Sequence, residues 1–196
     1  MGAVRFKEQL KGQSGVDIDA DEARRIIQVY RDTNWKIAHF WRACQNMLVQ
    51  MSNRQRGSVG RNGLIQYKGY EGGGCIRLPS KLLMYYGGLD YEQGEKGLEF
   101  SYDTRQGRTR IYGGKVTENV CQAVARCVIG EQMLLIAKKY KVVMTVHDSI
   151  VCCVSDRIQK EAREYIETCM RTVPDWCAGL PLDCESGIGR SYGSCE

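Results

Sequence analysis

His147-Asp148-Ser149 lies between two apolar runs, Val142-Val143-Met144-Thr145-Val146 before it and Ile150-Val151-Cys152-Cys153-Val154 after it. Neither run contains Gly or Pro, and both are rich in β-branched residues, so they read as a pair of buried strands. His147 and Asp148 then fall at or near the turn that joins them. A carboxylate carried on the tip of a stiff sheet has a fixed direction, which a metal ligand needs. Mg²⁺ prefers carboxylate oxygen, keeps several waters and is often completed by substrate phosphates. The plain alternative is a polar hairpin tip with no chemistry, and the triplet alone does not decide between the two.

A second group is spaced for recognition. Glu118, Asn119, Gln122 and Arg126 fall one turn apart in a segment of helical periodicity. Amides beside a basic side chain can hydrogen-bond base edges or sugars, although the same pattern also describes an ordinary solvated face. Arg54, Arg56 and Arg61 occur in the stretch 52–63, and Arg105, Arg108, Arg110 and Lys115 lie further along the chain. These cations could meet phosphates or simply be solvated. Tyr85, Tyr86 and Tyr102 could stack on bases or pack within a sheet. His39 reads as a packed or exposed helix residue rather than a ligand.

The scaffold for these groups begins with residues 3–11, a short amphipathic helix broken by Gly12 and Gly15. Asp19 or Asp21 caps a long helix from Ala20 to Met51, with Ile26, Ile27, Tyr30, Trp35, Ile37, Phe40, Trp41, Met47 and Leu48 at roughly helical spacing. Residues 52–63 read as a flexible basic loop. A Gly- and Tyr-rich region then predicts strands near 64–69, 75–78, 82–86, 97–103 and 108–112. A helix over 116–140, capped by Thr117, carries Val120, Val124, Cys127, Val128, Met133, Leu134 and Ile136 on its apolar face. The strand pair 141–154 comes next, then a helix over 156–172 capped by Asp156. A final alternating stretch, 180–192, reads as a strand that could join the sheet bearing His147 and Asp148.

Composition sets wide limits. The chain has 196 residues, 43% hydrophobic, with a net charge of +5. That is enough for a core, and mildly basic, compatible with a phosphate-bearing partner. The ten cysteines include no C-x-x-C pair. Cys121, Cys127, Cys152 and Cys169 sit in apolar contexts, which favours buried free thiols in a reducing compartment over zinc. No run reaches membrane-spanning length.

The order Gly113-Gly-Lys-Val-Thr-Glu-Asn-Val-Cys-Gln-Ala-Val-Ala-Arg126, long helix, Val146-His-Asp-Ser149, helix, Leu180-Pro-Leu-Asp-Cys-Glu-Ser-Gly-Ile-Gly189 resembles the C-terminal part of a family A DNA polymerase, the DNA polymerase I type. It looks most like the bacteriophage branch. His147-Asp148 is similar to the third palm motif, usually His-Asp-Glu. Arg77-Leu-Pro-Ser80 resembles the phage-type Leu-Pro-Ser-Gly-Arg segment, and Met1-Gly-Ala-Val-Arg-Phe6 looks like the segment directly after the nucleotide-binding fingers helix. Ser149 stands in place of the usual Glu, Lys81 in place of Gly-Arg, and Cys127 where many phage-type members have Asp.

The resemblance implies an α+β fold: a partial polymerase palm with an antiparallel sheet packed on long helices, a Gly/Tyr-rich β insertion at 52–112, and an incomplete right hand. Residues 1–15 would end the fingers and 16–196 would form the partial palm. Asp148 would be one carboxylate shared by two Mg²⁺ ions, and His147 would position the primer terminus. Gln122 and Asn119 would touch minor-groove acceptors, with Arg126 on the same DNA-binding face; Lys115, Arg110, Arg54 and Arg56 would hold phosphates. The implied partners are a DNA primer–template and deoxynucleoside triphosphates, without a membrane, in the cytoplasm of a bacterial host. An Asp-Tyr-Ser-like strand and a fingers helix with Arg and Lys are not among these residues, so an N-terminal polypeptide is expected to supply them and the chain alone to be inactive. The rival classes are a non-catalytic nucleic-acid-binding remnant and a His…His-Asp phosphohydrolase that would unite His39 with His147 and Asp148.

Overall fold

The computed structural model describes residues 2–94 and 97–195; Met1 and Glu196, the outermost residues of the expected fingers and palm segments, lie outside the described residues, as do Glu95 and Lys96. In chain order the elements are α1 (Ala3–Ser14), α2 (Ala20–Thr33), α3 (Trp35–Ser52), β1 (Arg56–Val59), β2 (Ile65–Tyr70), β3 (Gly73–Arg77), β4 (Leu83–Gly87), β5 (Asp90–Gly94), β6 (Gly97–Thr104), β7 (Gly107–Ile111), α4 (Gly113–Ile136), β8 (Val142–Val146), β9 (Ser149–Cys152) and α5 (Gln159–Arg171). The class is α+β. Among the described residues three antiparallel sheets form, with strand orders β1-β2-β3-β4, β5-β6-β7 and β8-β9.

The main core is set by α3. Cys44, Met47, Leu48 and Met51 recur at i, i+3, i+4 and i+7 and are all buried, which is one face of a helix. Val116, Val120 and Cys127 of α4 meet them, and Tyr67, Ile76, Tyr86, Phe100 and Ile111 close the cluster from the two larger sheets. Each fully buried side chain of this kind contributes roughly 1.5–3 kcal/mol against exposure. Two glycines let backbones approach. A Cβ on Gly69 of β2 would collide with the Met51 carbonyl oxygen, and one on Gly113 with the Trp41 carbonyl oxygen. The Gly113 amide also donates to Gln45 Oε1 at 2.7 Å, which ties the first turn of α4 to α3.

A second, smaller core forms at the far end of α4. Ile136, Tyr140, Ala162 and Cys169 are buried there, with Val142, Ile150 and Cys152 of the hairpin packed alongside. Gln132 is the buried polar side chain among the described residues. Its amide donates to the Met170 carbonyl and, at 3.3 Å, to that of Thr172. The last carbonyls of α5 have no partner within their own helix, so Gln132 both satisfies them and fastens α4 to α5.

Several boundaries differ from expectation, each for a local reason. α1 continues through Gly12 and stops at Gly15, whose φ of 72° ends the helix. Asp19 caps α2, accepting from the Glu22 amide at 2.7 Å. The single helix expected from Ala20 to Met51 is two, broken at Asn34, whose side-chain amide donates to the Tyr30 carbonyl at 3.0 Å. The stretch 52–63 contains β1, paired with β2 from Arg56↔Lys68 to Val59↔Ile65. β5 is a strand that the sequence pattern does not announce. Tyr112, not Thr117, is the N-cap of α4, and Thr117 donates instead to the Gly113 carbonyl at 2.9 Å. Ser155 rather than Asp156 accepts from the amide of Arg157.

The segment 180–192 is not a strand among the described residues. Its alternating polar side chains bond to α5: Asp183 pairs with Arg171 at 2.8 Å, and Ser186 accepts from Arg163 at 2.7 Å and donates to Glu167. Those contacts hold it along the helix and away from the hairpin sheet.

Candidate functional site

The hairpin β8–β9 closes from Val146↔Ser149, leaving His147 and Asp148 as a two-residue turn. Both side chains are exposed. His147 has φ 53°, the left-handed region that suits the first residue of such turns but that a side chain with a Cβ disfavours. Residues held in this region tend to occur at functional sites, at about 1–3 kcal/mol of strain. One register shift lies between Val142 and Met144, so Val143 is the extra residue of a bulge; bulges re-aim side chains and favour sheet edges and active sites.

The two runs flanking the tip are not buried strands. No residue of β8 or β9 is fully buried, and Val143 and Met144 are 50% and 40% exposed. The sequence is apolar on both faces, whereas the second core covers one. Both strands are also edges, because among the described residues this sheet has two strands. Such an isolated ribbon is marginal by itself and presents unpaired backbone groups for another strand.

The recognition residues lie on α4 and on the larger sheets. Lys115, Glu118, Gln122 and Arg126 are spaced by three, four and four residues on the outer side of the helix, a stripe about 17 Å long at about 1.5 Å per residue. Gln122 and Arg126 are exposed. Asn119 is half-buried and donates to the Tyr86 hydroxyl at 3.2 Å, so its amide fastens the helix to the sheet and does not face solvent freely. Three of the cations meet carboxylates: Lys115 with Glu118 at 2.8 Å, Arg110 with Glu99 at 2.9 Å, and Arg54 with Glu71 at 3.9 Å. The Glu118 carboxylate holds the Lys115 ammonium above its ordinary pKa, chiefly through their hydrogen bond. Exposed pairs of this kind contribute little to stability and are screened by salt. Arg56 is exposed on β1.

Asp148 with His147 forms one locus, the α4 stripe a second, and Arg54, Arg56 and Arg110 lie on or beside the two larger sheets. Among the described residues no three His, Cys, Asp or Glu side chains converge on a point that could hold a metal ion. Asp148 therefore offers a single carboxylate, and the described residues do not by themselves make a magnesium site. The same finding removes support for a phosphohydrolase centre joining His39 to His147 and Asp148; His39 is exposed on α3. All ten cysteines are free, with Cys127 and Cys169 buried, Cys152 half-buried and Cys121 exposed. Leu134, expected on the apolar face of α4, is 66% exposed. Sequence reasoning missed Gln132, whose only signal was a polar residue at a core-facing helical position.

A DNA polymerase of Bacillus phage SP02 is 28% identical to this chain over 190 residues, an alignment covering 92% of the chain and 29% of that protein. The chain thus spans under a third of that relative's length. No family model matches it, and no solved structure does. Among the described residues, no helix is long and apolar enough to cross a membrane.

Proposed function

We propose that this chain is the C-terminal part of a DNA-directed DNA polymerase of family A, contributing the His147-Asp148 tip and the exposed stripe of α4 to template-directed nucleotidyl transfer. The observation that carries this reading is the likeness to the phage SP02 polymerase along 92% of the chain. Support also comes from the exposed carboxylate on a two-residue tip and from the unpaired edges of its ribbon. In this reading Asp148 supplies one carboxylate to a magnesium site whose other ligands, together with the Arg- and Lys-bearing helix that grips deoxynucleoside triphosphates, belong to polypeptide outside these 196 residues. A further strand would pair with the β8–β9 ribbon and cover Val143 and Met144. His147 would position the primer terminus. Gln122 would meet minor-groove acceptors, which lie in similar places in every base pair. Arg126, Lys115, Arg110, Arg54 and Arg56 would hold backbone phosphates and make binding salt-sensitive.

Primer extension tests this. The chain alone should extend no primer. Mixed with a polypeptide carrying the Asp-Tyr-Ser-like strand and fingers helix, it should do so. In that mixture Asp148→Ala should lower synthesis by about a thousandfold, the several kcal/mol that a metal's charge supplies at the reacting oxygens. Primer–template affinity should barely change. A silent Asp148→Ala would leave only a binding role, and robust extension by the chain alone would remove the need for a partner.

A further inference from the structure

The outward face of the sheet β1–β4 carries an arrangement of which the polymerase reading uses Arg56 alone. Its registers place Arg56 opposite Lys68, Lys68 opposite Cys75, and Cys75 opposite Tyr85. Directly opposed residues share one face of a sheet, so these four form a single row. At about 4.8 Å per strand the row is about 14 Å long. The next row on the same face runs Ser58, Gln66, Arg77, Leu83. The opposite face holds Tyr67, Ile76 and Tyr86 and is buried against α3. Alternation therefore turns Tyr86 inward, 2% exposed, and Tyr85 outward, 64% exposed.

Charge on this face has one sign. The four strands read Arg-Gly-Ser-Val, Ile-Gln-Tyr-Lys-Gly-Tyr, Gly-Gly-Cys-Ile-Arg and Leu-Met-Tyr-Tyr-Gly, with no Asp or Glu. The sheet β5–β7 is a contrast within the same molecule. Its Arg108 and Arg110 are paired with Asp103 and Glu99 at 3.0 and 2.9 Å. Three cations spread across the face that carries an outward aromatic ring at its β4 edge, with Arg77 diagonal to the ring and Arg56 at the far end of the row. On strands without acids, they are complementary to a polyanion whose units have flat faces. A duplex offers such a surface its phosphates but keeps its bases stacked inside. An unpaired strand offers both.

We propose that the outer face of β1–β4 is a binding platform for single-stranded nucleic acid, with Tyr85 stacking on a base and Arg56, Lys68 and Arg77 holding the flanking phosphates. This rests on the reading of the chain as part of a DNA polymerase, and assigns to it a surface for unpaired strand distinct from the α4 stripe and the hairpin tip.

The test is fluorescence anisotropy on the full chain with labelled oligothymidylate and, separately, a blunt duplex of equal length. Tyr85→Ala should weaken oligothymidylate binding between about fivefold and about a hundredfold, the range for losing one stacked base. Tyr85→Phe should restore it, since the ring and not the hydroxyl stacks. The combined change of Arg56, Lys68 and Arg77 to Gln should reduce the slope of log affinity against log salt by about 2, at about 0.7 per cation for single strands. Duplex affinity should respond much less to Tyr85→Ala. Far-ultraviolet circular dichroism confirms that each variant is folded; Tyr85 lies outside the core, so its removal leaves the sheet intact. Unchanged oligothymidylate binding by folded Tyr85→Ala would overturn the platform. So would duplex binding by the native chain without single-strand binding, which would leave the polymerase reading standing. Binding to neither would overturn both.

Discussion

The sheet β1–β4 turns Tyr67, Ile76 and Tyr86 into the main core and has two inner strands, whereas among the described residues the hairpin β8–β9 has two strands, both of them edges, and no fully buried residue. Their sequences invert this. The sheet strands contain glycines, cations and few β-branched residues; the hairpin strands are nearly all Val, Ile, Met, Thr and Cys. Residues that are apolar on both faces of a strand suit a sheet covered on both sides. The hairpin is thus written for more cover than the described residues give it. The position of Asp148 at the end of the under-covered ribbon gives that mismatch a functional meaning under the polymerase reading.

The largest test of this contrast is packing. Ile76 is 0% exposed, and Ile76→Ala should destabilise the chain by about 2–5 kcal/mol, the usual range for such a truncation. Val143 on the bulge is 50% exposed, and Val143→Ala should change stability by no more than about 0.5 kcal/mol. Urea titrations of both variants would check this. Equal losses would mean that the hairpin is packed as tightly as the sheet, and the contrast would fail.

A smaller effect concerns what holds the hairpin's half of the molecule together. There, burial is supplemented by charge along α5. The Glu167 carboxyl is pulled down to about 2 from an ordinary 4.5, first by the Ser186 hydroxyl and then by the Arg163 and Arg171 guanidiniums. Asp183 is lowered as well, chiefly by Arg171. A carboxylate whose pKa falls on folding favours the folded form above its unfolded value, and that favour fades as the pH drops through the folded one. The segment 180–190 should therefore stay docked at pH 5 and above and loosen between about 4.5 and about 2. Amide hydrogen exchange across that window would report it. Protection unchanged at the acid end would show that apolar contacts, not these ion pairs, fix the tail. The strands of the β1–β4 sheet carry no carboxylate and should keep their protection through the same range.

How far the sequence foretold this depends on which signals are local. The apolar period through Met47 and Leu48 and the polar pair between two apolar runs are local, and both the helix and the hairpin turn were legible. That period does not single out Cys44 and Met51, which complete the buried stripe, whereas it does single out Tyr30, Trp35 and Ile37, which are exposed. The break at Asn34 had a signal that the apolar period masked, the run of three poor helix formers Asp32-Thr33-Asn34. β1 had less: Arg56-Gly57-Ser58-Val59 is a strand because β2 offers it an edge, not because of its own propensity. The tail alternates like a strand, but its polar residues found cations on α5 first. For the candidate site, Asp148 and Gln122 could be singled out from residue type and spacing. Which of Tyr85 and Tyr86 faces outward could not, because a slip of one residue exchanges the two faces of a strand.

The smallest effect concerns the tip itself. His147 holds φ 53°, where a residue with a Cβ is disfavoured by about 1–2 kcal/mol, while glycine there forfeits about 0.5–1 kcal/mol through its freer unfolded chain. His147→Gly should therefore leave stability unchanged or raise it by up to about 1.5 kcal/mol. Under the polymerase reading the same variant should lower reconstituted primer extension, since the imidazole is lost although the turn relaxes. Thermal melting and primer extension on one preparation would separate the two. A stabilised variant with reduced synthesis would mean that the strained backbone is kept for its side chain. A destabilised variant would mean that the imidazole itself holds the ribbon together, making the tip a structural part of the hairpin and removing the reason to look for chemistry there.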